Sequence, residues 1–133
     1  MKILITICAL FLALTLSSPS FSQWTKVAEI DDGTVYYVDF ESIKKEGGHS
    51  YLWTLSDSPE ACIHGHLSGK THKKVDCMLM RYQDLTFKNY KQSMGLGFED
   101  RENNYSPKNQ EWEYPELNSS SGMILKAVCN EMK

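Results

Sequence analysis

Val75-Asp76-Cys77-Met78-Leu79 and Met123-Ile124-Leu125-Lys126-Ala127-Val128-Cys129 carry the two cysteines on which the fold turns. The first run alternates like a strand, with Val75, Cys77 and Leu79 on one face and Met78 and Met80 on the other. The second follows helical spacing: Leu125, Val128, Cys129 and Met132 fall at i, i+3, i+4 and i+7 and form one apolar stripe. Cys129 therefore points toward the side on which its helix buries itself. A Cys77–Cys129 bond would staple a C-terminal helix onto a sheet, giving an α+β domain. The competing pair, Cys62 with Cys77, would leave the helix untied, and spacing does not decide connectivity.

Disulfides persist outside the cytoplasm, and the N-terminus reads as an export signal. Met1-Lys2 opens it, Ile3 to Leu16 is uncharged and apolar, and Ser20 and Ser22 make a small-x-small cleavage site. The apolar run is shorter than the roughly 20 residues a membrane span needs. Residues 1–22 are thus expected to be removed, leaving residues 23–133 as one domain. Cys8 lies inside the apolar run behind Ile5-Thr6-Ile7, not behind a Leu-small-small sequence, so no membrane anchor is expected after cleavage. Cys62, Cys77 and Cys129 remain, with Cys62 in a polar stretch as the free thiol. Losing Lys2 moves the formal net charge from −3 to −4, which disfavours nucleic acid as a partner.

Outward from the cysteines, Trp24–Ile30 and Gly33–Asp39 flank Asp31-Asp32-Gly33 as a hairpin would. Residues 39–46 read as helical turns capped by Asp39 and stopped by Gly47-Gly48. Ser50–Leu55 reads as a strand with Tyr51, Trp53 and Leu55 on one face, and residues 56–70 as a loop. Strand character resumes at Thr71 and runs to Tyr90, with a turn expected at Gln83-Asp84. Met94–Phe98 and Glu111–Tyr114 read as further short strands, and Asn118 to Ser121 offer caps for the final helix.

Cys62, His64 and His66, with His72 beyond them, form the one cluster with metal-ligand character. In an extended chain the first three share a face, and zinc or copper accepts such donors. Gly65 loosens that spacing, and a solvated histidine-bearing loop is the competing reading. Residues 65–71 nearly spell a phosphate-binding loop, but the required first glycine falls at His64 and a strand follows where a helix should. Neither a Gly-x-Ser-x-Gly elbow nor a His-Glu-x-x-His pair occurs, so no catalytic residues, no enzyme activity and no cofactor are expected. Lys70, Lys73 and Lys74 beside His72 make a small basic cluster suited to an acidic partner or to the solvated side of a strand.

Trp24, Val35-Tyr36-Tyr37-Val38-Asp39 with Ser42-Ile43, Trp53, and Ser68-Gly69-Lys70 recur in an order that resembles the surface-adhesin protein E family of Gram-negative bacteria. Asp76-Cys77 with Arg81, Gly95-Leu96-Gly97, Trp112, Pro115 and Val128-Cys129 complete the pattern across residues 24–130. The resemblance implies an antiparallel sheet of about six strands with a C-terminal helix disulfide-tethered to one face. It also implies a homodimer, and an adhesin that contacts host extracellular-matrix proteins or plasminogen. The family's namesake is lipid-anchored, whereas this chain lacks that signal, so a periplasmic or secreted protein is expected as much as one displayed on the surface. A periplasmic zinc- or copper-binding protein built on Cys62, His64, His66 and His72, or an envelope housekeeping domain, are the alternatives.

Overall fold

Asp31-Asp32-Gly33 reverses the chain as its composition predicts. The Asp32 carboxylate accepts the Thr34 amide at 2.8 Å, and the Gly33 amide donates to the Ile30 carbonyl at 2.9 Å. The strands it joins are β1 (Thr25–Glu29) and β2 (Val35–Val38), paired antiparallel with a bulge between Lys26 and Ala28. They belong to a computed structural model that describes residues 24–133; the export signal read at residues 1–22 lies outside the described residues.

The middle of the chain departs from the helical reading of residues 39–46. Asp39 does cap a turn, its carboxylate accepting the Ser42 amide, but that turn is a single 3₁₀ turn at Phe40–Ser42. Lys44–Glu46 is instead strand β3, and Gly47-Gly48 is the two-residue turn of a hairpin into β4 (His49–Asp57). Both glycines take positive φ, 58° and 77°, as hairpin turns of that length require. Tertiary pairing overrides helix propensity here because β4 is long enough to hold β2 and β3 along the same edge. Ser42 fills the gap between them: its hydroxyl accepts the Trp53 amide at 3.3 Å.

Strands β5 (Ser68–Asp76) and β6 (Arg81–Tyr90) finish the sheet, whose order is β1-β2-β4-β5-β6 with β3 beside β4. The turn expected at Gln83-Asp84 lies earlier, at residues 77–80. Gln83 and Asp84 pair in register with Lys74 and Lys73. The Asp76 carboxylate sets the turn by accepting the Met78 and Leu79 amides at 3.1 and 3.2 Å, and Met80 takes φ 48°. Cys77 is therefore the first turn residue, and Met78 and Leu79 are exposed where alternation had placed them on strand faces.

Of two expected short strands one is absent and the other shrinks to a single bridge. Residues 99–113 run antiparallel along the outer edge of β6 and touch it at Glu99–Tyr90, Tyr105–Phe87 and Glu113–Tyr82. Met94–Phe98 is not a strand, because a 3₁₀ turn at Ser93–Gly95 with Met94 at φ 59° precedes the first bridge. Glu111–Tyr114 contributes only the Glu113 pair, whose two backbone hydrogen bonds are 2.8 and 3.0 Å. This strap covers a sheet edge that would otherwise be open to another strand.

The helix α1 (Ser120–Glu131) starts at Ser119, whose hydroxyl accepts the Gly122 amide at 3.1 Å. Gly122 is required by packing: a Cβ there would lie 2.0 Å from the Glu116 carbonyl oxygen. Leu125, Val128 and Cys129 enter the core with Ile124, against Val38, Leu52, Val75 and Tyr82. Met132 packs at its margin, where its sulfur accepts the Ser50 hydroxyl at 3.2 Å. Cys77 and Cys129 are bonded, Cα to Cα 5.5 Å, across a sequence separation of 52. Closing a loop of that length stabilises the fold by about 4 kcal/mol on the chain-entropy model.

Candidate functional site

Alternation along β4, β5 and β6 divides their side chains between a face covered by α1 and a face left open. Leu52, Thr54, Lys73, Val75 and Tyr82 lie beneath the helix. Tyr51, Trp53, Lys70, His72, Lys74 and Lys88 lie on the other side. The basic cluster read at Lys70, Lys73 and Lys74 is consequently split. Lys73 is buried, ion-paired with Asp84, its ammonium 4.2 Å from the Tyr82 ring centroid.

On the open face aromatic rings and cations interleave. Trp53 and His72 are cross-strand neighbours stacked at 4.8 Å, and the Lys88 ammonium lies 5.2 Å from the Trp53 ring. Burial pushes the His72 imidazole below its ordinary pKa, and the charges of Lys44 and Lys88 add to that, which favours the neutral ring. Lys70 lies 4.8 Å from the Tyr90 ring and 5.9 Å from Trp24. At the other end Trp112, brought in by the strap, is flanked by His49 at 5.3 Å, Lys74 at 5.3 Å and Arg81 at 4.2 Å. A cleft of about 270 Å³ opens between Trp24, Trp53 and Tyr90, with Lys70, Lys88 and Asp39 in its walls.

A second exposed feature sits at one end of the sheet, where the β4–β5 loop meets the segment after β6. The Asp57 carboxylate accepts the Ser93 hydroxyl at 2.8 Å and the Met94 amide at 2.7 Å, and Ser68 donates to the Gln92 carbonyl at 2.6 Å. His66, buried, pairs with Asp100 at 2.8 Å and ties the two segments together. From this braced end Ile63 and Phe98 project 95% and 99% exposed, with Leu96 beside Phe98 in the chain and more than half exposed.

The metal-candidate residues are dispersed. Cys62 is an exposed free thiol, His66 is engaged with Asp100, and the His64 and His66 ring centroids are 6.2 Å apart. His72 lies on the sheet against Trp53. Among the described residues no three His, Cys, Asp or Glu side chains are grouped as a metal site. The residues missed from sequence were Lys88, Tyr90 and Arg81. Alternation within β6 was the signal for Lys88 and Tyr90, obscured by the turn expected at residues 83–84, whereas Arg81 reaches the same face only through the bulge opposite His72 and Lys73.

The class of the protein is an α+β domain, an antiparallel sheet backed on one face by a disulfide-tethered helix. The surface-adhesin protein E model matches residues 24–130, and the chain belongs to that family. Crystal structures of Haemophilus influenzae protein E share the fold. Crystal form II superposes with a TM-score of 0.62 at 14% identity, covering 89% of this chain and 95% of that one. The protein from a non-typeable strain superposes at 0.58 and 14% identity, covering 88% and 82%. No curated protein matches the chain in sequence. Membership in a surface-adhesin family makes this an exported or surface protein. Among the described residues no helix is long and apolar enough to cross a membrane.

Proposed function

We propose that this chain is a non-catalytic adhesin, released from its signal between Ser22 and Gln23, that binds a host extracellular-matrix protein or plasminogen through its loop tip. The observation that carries the reading is the pair Ile63 and Phe98, almost fully exposed on segments braced by Asp57, Ser68 and the His66–Asp100 pair. Large apolar side chains left in water on a braced backbone act as anchors for a protein partner, since the segments that carry them need little ordering on binding. Self-association into a homodimer belongs to the same proposal.

Protein exported from the full-length gene should bind immobilised matrix protein or plasminogen saturably at micromolar concentration. Changing Ile63→Ser and Phe98→Ser together should weaken that binding at least tenfold without moving the melting temperature. Absence of saturable binding by the parent removes the adhesin reading. Binding that survives both substitutions moves it off the tip. N-terminal sequencing tests the cleavage site, and sedimentation tests the dimer.

A further inference from the structure

We propose that the open-face cleft between Trp24, Trp53 and Tyr90 binds a uronic acid unit of an acidic polysaccharide, with Lys70 holding the sugar carboxylate. The site borders the loop tip, where Gly95 packs against Lys70, but its lining excludes Ile63 and Phe98 and the inference does not depend on the adhesin reading.

The chemistry of the walls selects the ligand. The faces of Trp and Tyr rings are electron-rich and attract the positively polarised C–H faces of a pyranose. Lys70 lies over the buried Tyr90 ring at 4.8 Å and 5.9 Å from the partly exposed Trp24 ring, so a sugar stacked on Trp24 brings its anion within reach of the ammonium. Lys88 is drawn by Glu99 at 3.7 Å, whereas Lys70 makes no ion pair among the described residues. Burial, then the neighbouring charge of Lys88, lowers the Lys70 pKa against a smaller opposing pull from Glu99. An ammonium crowded in this way gains when a carboxylate enters. Asp39, also in the wall, is an acceptor suited to a sugar hydroxyl, so the ligand's anion belongs at Lys70 and not beside Asp39.

Size and repetition narrow the choice further. At about 270 Å³ the cleft falls just under the range of drug-sized pockets, enough for one six-membered ring without large substituents. Sialic acid, with its glycerol and N-acetyl arms, is the poorer fit. Four residues along β5, roughly 13 Å away at strand rise, Lys74 faces Trp112 with Arg81 beyond. A cation–aromatic pair recurring along one face suits a polymer whose acidic units recur.

The test is calorimetric titration and tryptophan fluorescence of the exported protein with an oligogalacturonate. A neutral maltooligosaccharide, a sialyl oligosaccharide, oligothymidylate and inorganic sulfate at matched ionic strength are the comparison probes. Oligogalacturonate should bind saturably and quench or shift tryptophan emission, and the other four should bind at least tenfold more weakly. Lys70→Gln and, separately, Trp24→Ala should each reduce the affinity tenfold or more at unchanged melting temperature. Matrix-protein binding through the tip should stay intact in both variants. The proposal is overturned by no saturable uronate binding at millimolar concentration, by full affinity in folded Lys70→Gln protein, or by equal binding of oligothymidylate or sulfate. Tighter binding of the sialyl probe also overturns it. Loss of tip-dependent adhesion alone leaves these readouts unchanged, so the two failures are distinguishable.

Discussion

The two faces of the sheet place a lysine over a tyrosine in opposite circumstances. Under the helix, Lys73 sits 4.2 Å from the Tyr82 ring and is neutralised by Asp84, while the Tyr82 hydroxyl donates to Glu113 at 2.8 Å. On the open face Lys70 sits 4.8 Å from Tyr90 and has no carboxylate at ion-pair distance among the described residues. The covered arrangement is electrically closed, as burial requires. Burial is also the main reason the Tyr82 hydroxyl is pushed up to about 12, with Ser121 pulling against Glu113. The open arrangement tolerates an unneutralised cation because water still reaches it, and that leaves a charge for a ligand to meet.

The largest test of this contrast removes the staple of the covered face. Replacing both Cys77→Ser and Cys129→Ser should cost about 4 kcal/mol in urea unfolding, given the separation of 52. A loss below roughly 1 kcal/mol would mean that Ile124, Leu125 and Val128 hold the helix without the bond. Next comes the closed ion pair. Asp84→Ala strands the buried Lys73 ammonium and should cost about 3 kcal/mol. Adding Lys73→Met to that variant should restore most of the loss, because the orphaned charge is then gone. No recovery would show that Asp84 matters for something other than neutralising Lys73.

How far this contrast was legible in the sequence depends on the range of each signal. The stripe of Leu125, Val128 and Cys129 and the hairpin at Asp31-Asp32-Gly33 rest on local periodicity and turn chemistry, and both stand as read. Strand β3 could not be read that way: Ser42 to Glu46 carries helix-compatible residues, and pairing with Tyr51, Ser50 and His49 decides its state. The β5–β6 turn was legible in principle, since Asp76 is a turn-setting residue. The alternation of Val75, Cys77 and Leu79 outweighed it in the reading, and Met78 and Leu79 went to the wrong surroundings. Assigning Lys70 and Lys73 to opposite faces needed only period two, whereas Trp112 reaches the open face through a strap whose course no local pattern encodes.

Asp76 joins the two faces, and acid should act there. Burial pushes its carboxyl upward, but the Leu79 amide, the Arg81 hydrogen bond and charge, and His49 together outweigh that, so it lies below the usual 3.8. A carboxyl depressed on folding stabilises the fold fully above its unfolded value, and the contribution drains away as pH falls through the depressed one. Urea midpoints should therefore decline below about pH 3.8, and Asp76→Asn should flatten part of that decline. An acid limb identical in both proteins would assign the loss to other carboxylates.

The smallest stability effect belongs to the open face and sharpens the contrast most. The Lys88–Glu99 pair, 3.7 Å long with both side chains a quarter or more exposed, should contribute no more than about 1 kcal/mol. Glu99→Gln should leave unfolding nearly unchanged, in contrast to Asp84→Ala. Its consequence should appear in binding instead. Glu99 is the acid that partly offsets the crowding of Lys70 and draws Lys88, so its loss frees both ammoniums for an incoming carboxylate. Oligogalacturonate affinity should rise severalfold in Glu99→Gln protein, and the gain should vanish when Lys70→Gln is added. A fall in affinity would mean that Glu99 contacts the sugar rather than competing with it, and the cleft's charge would then have to be assigned differently.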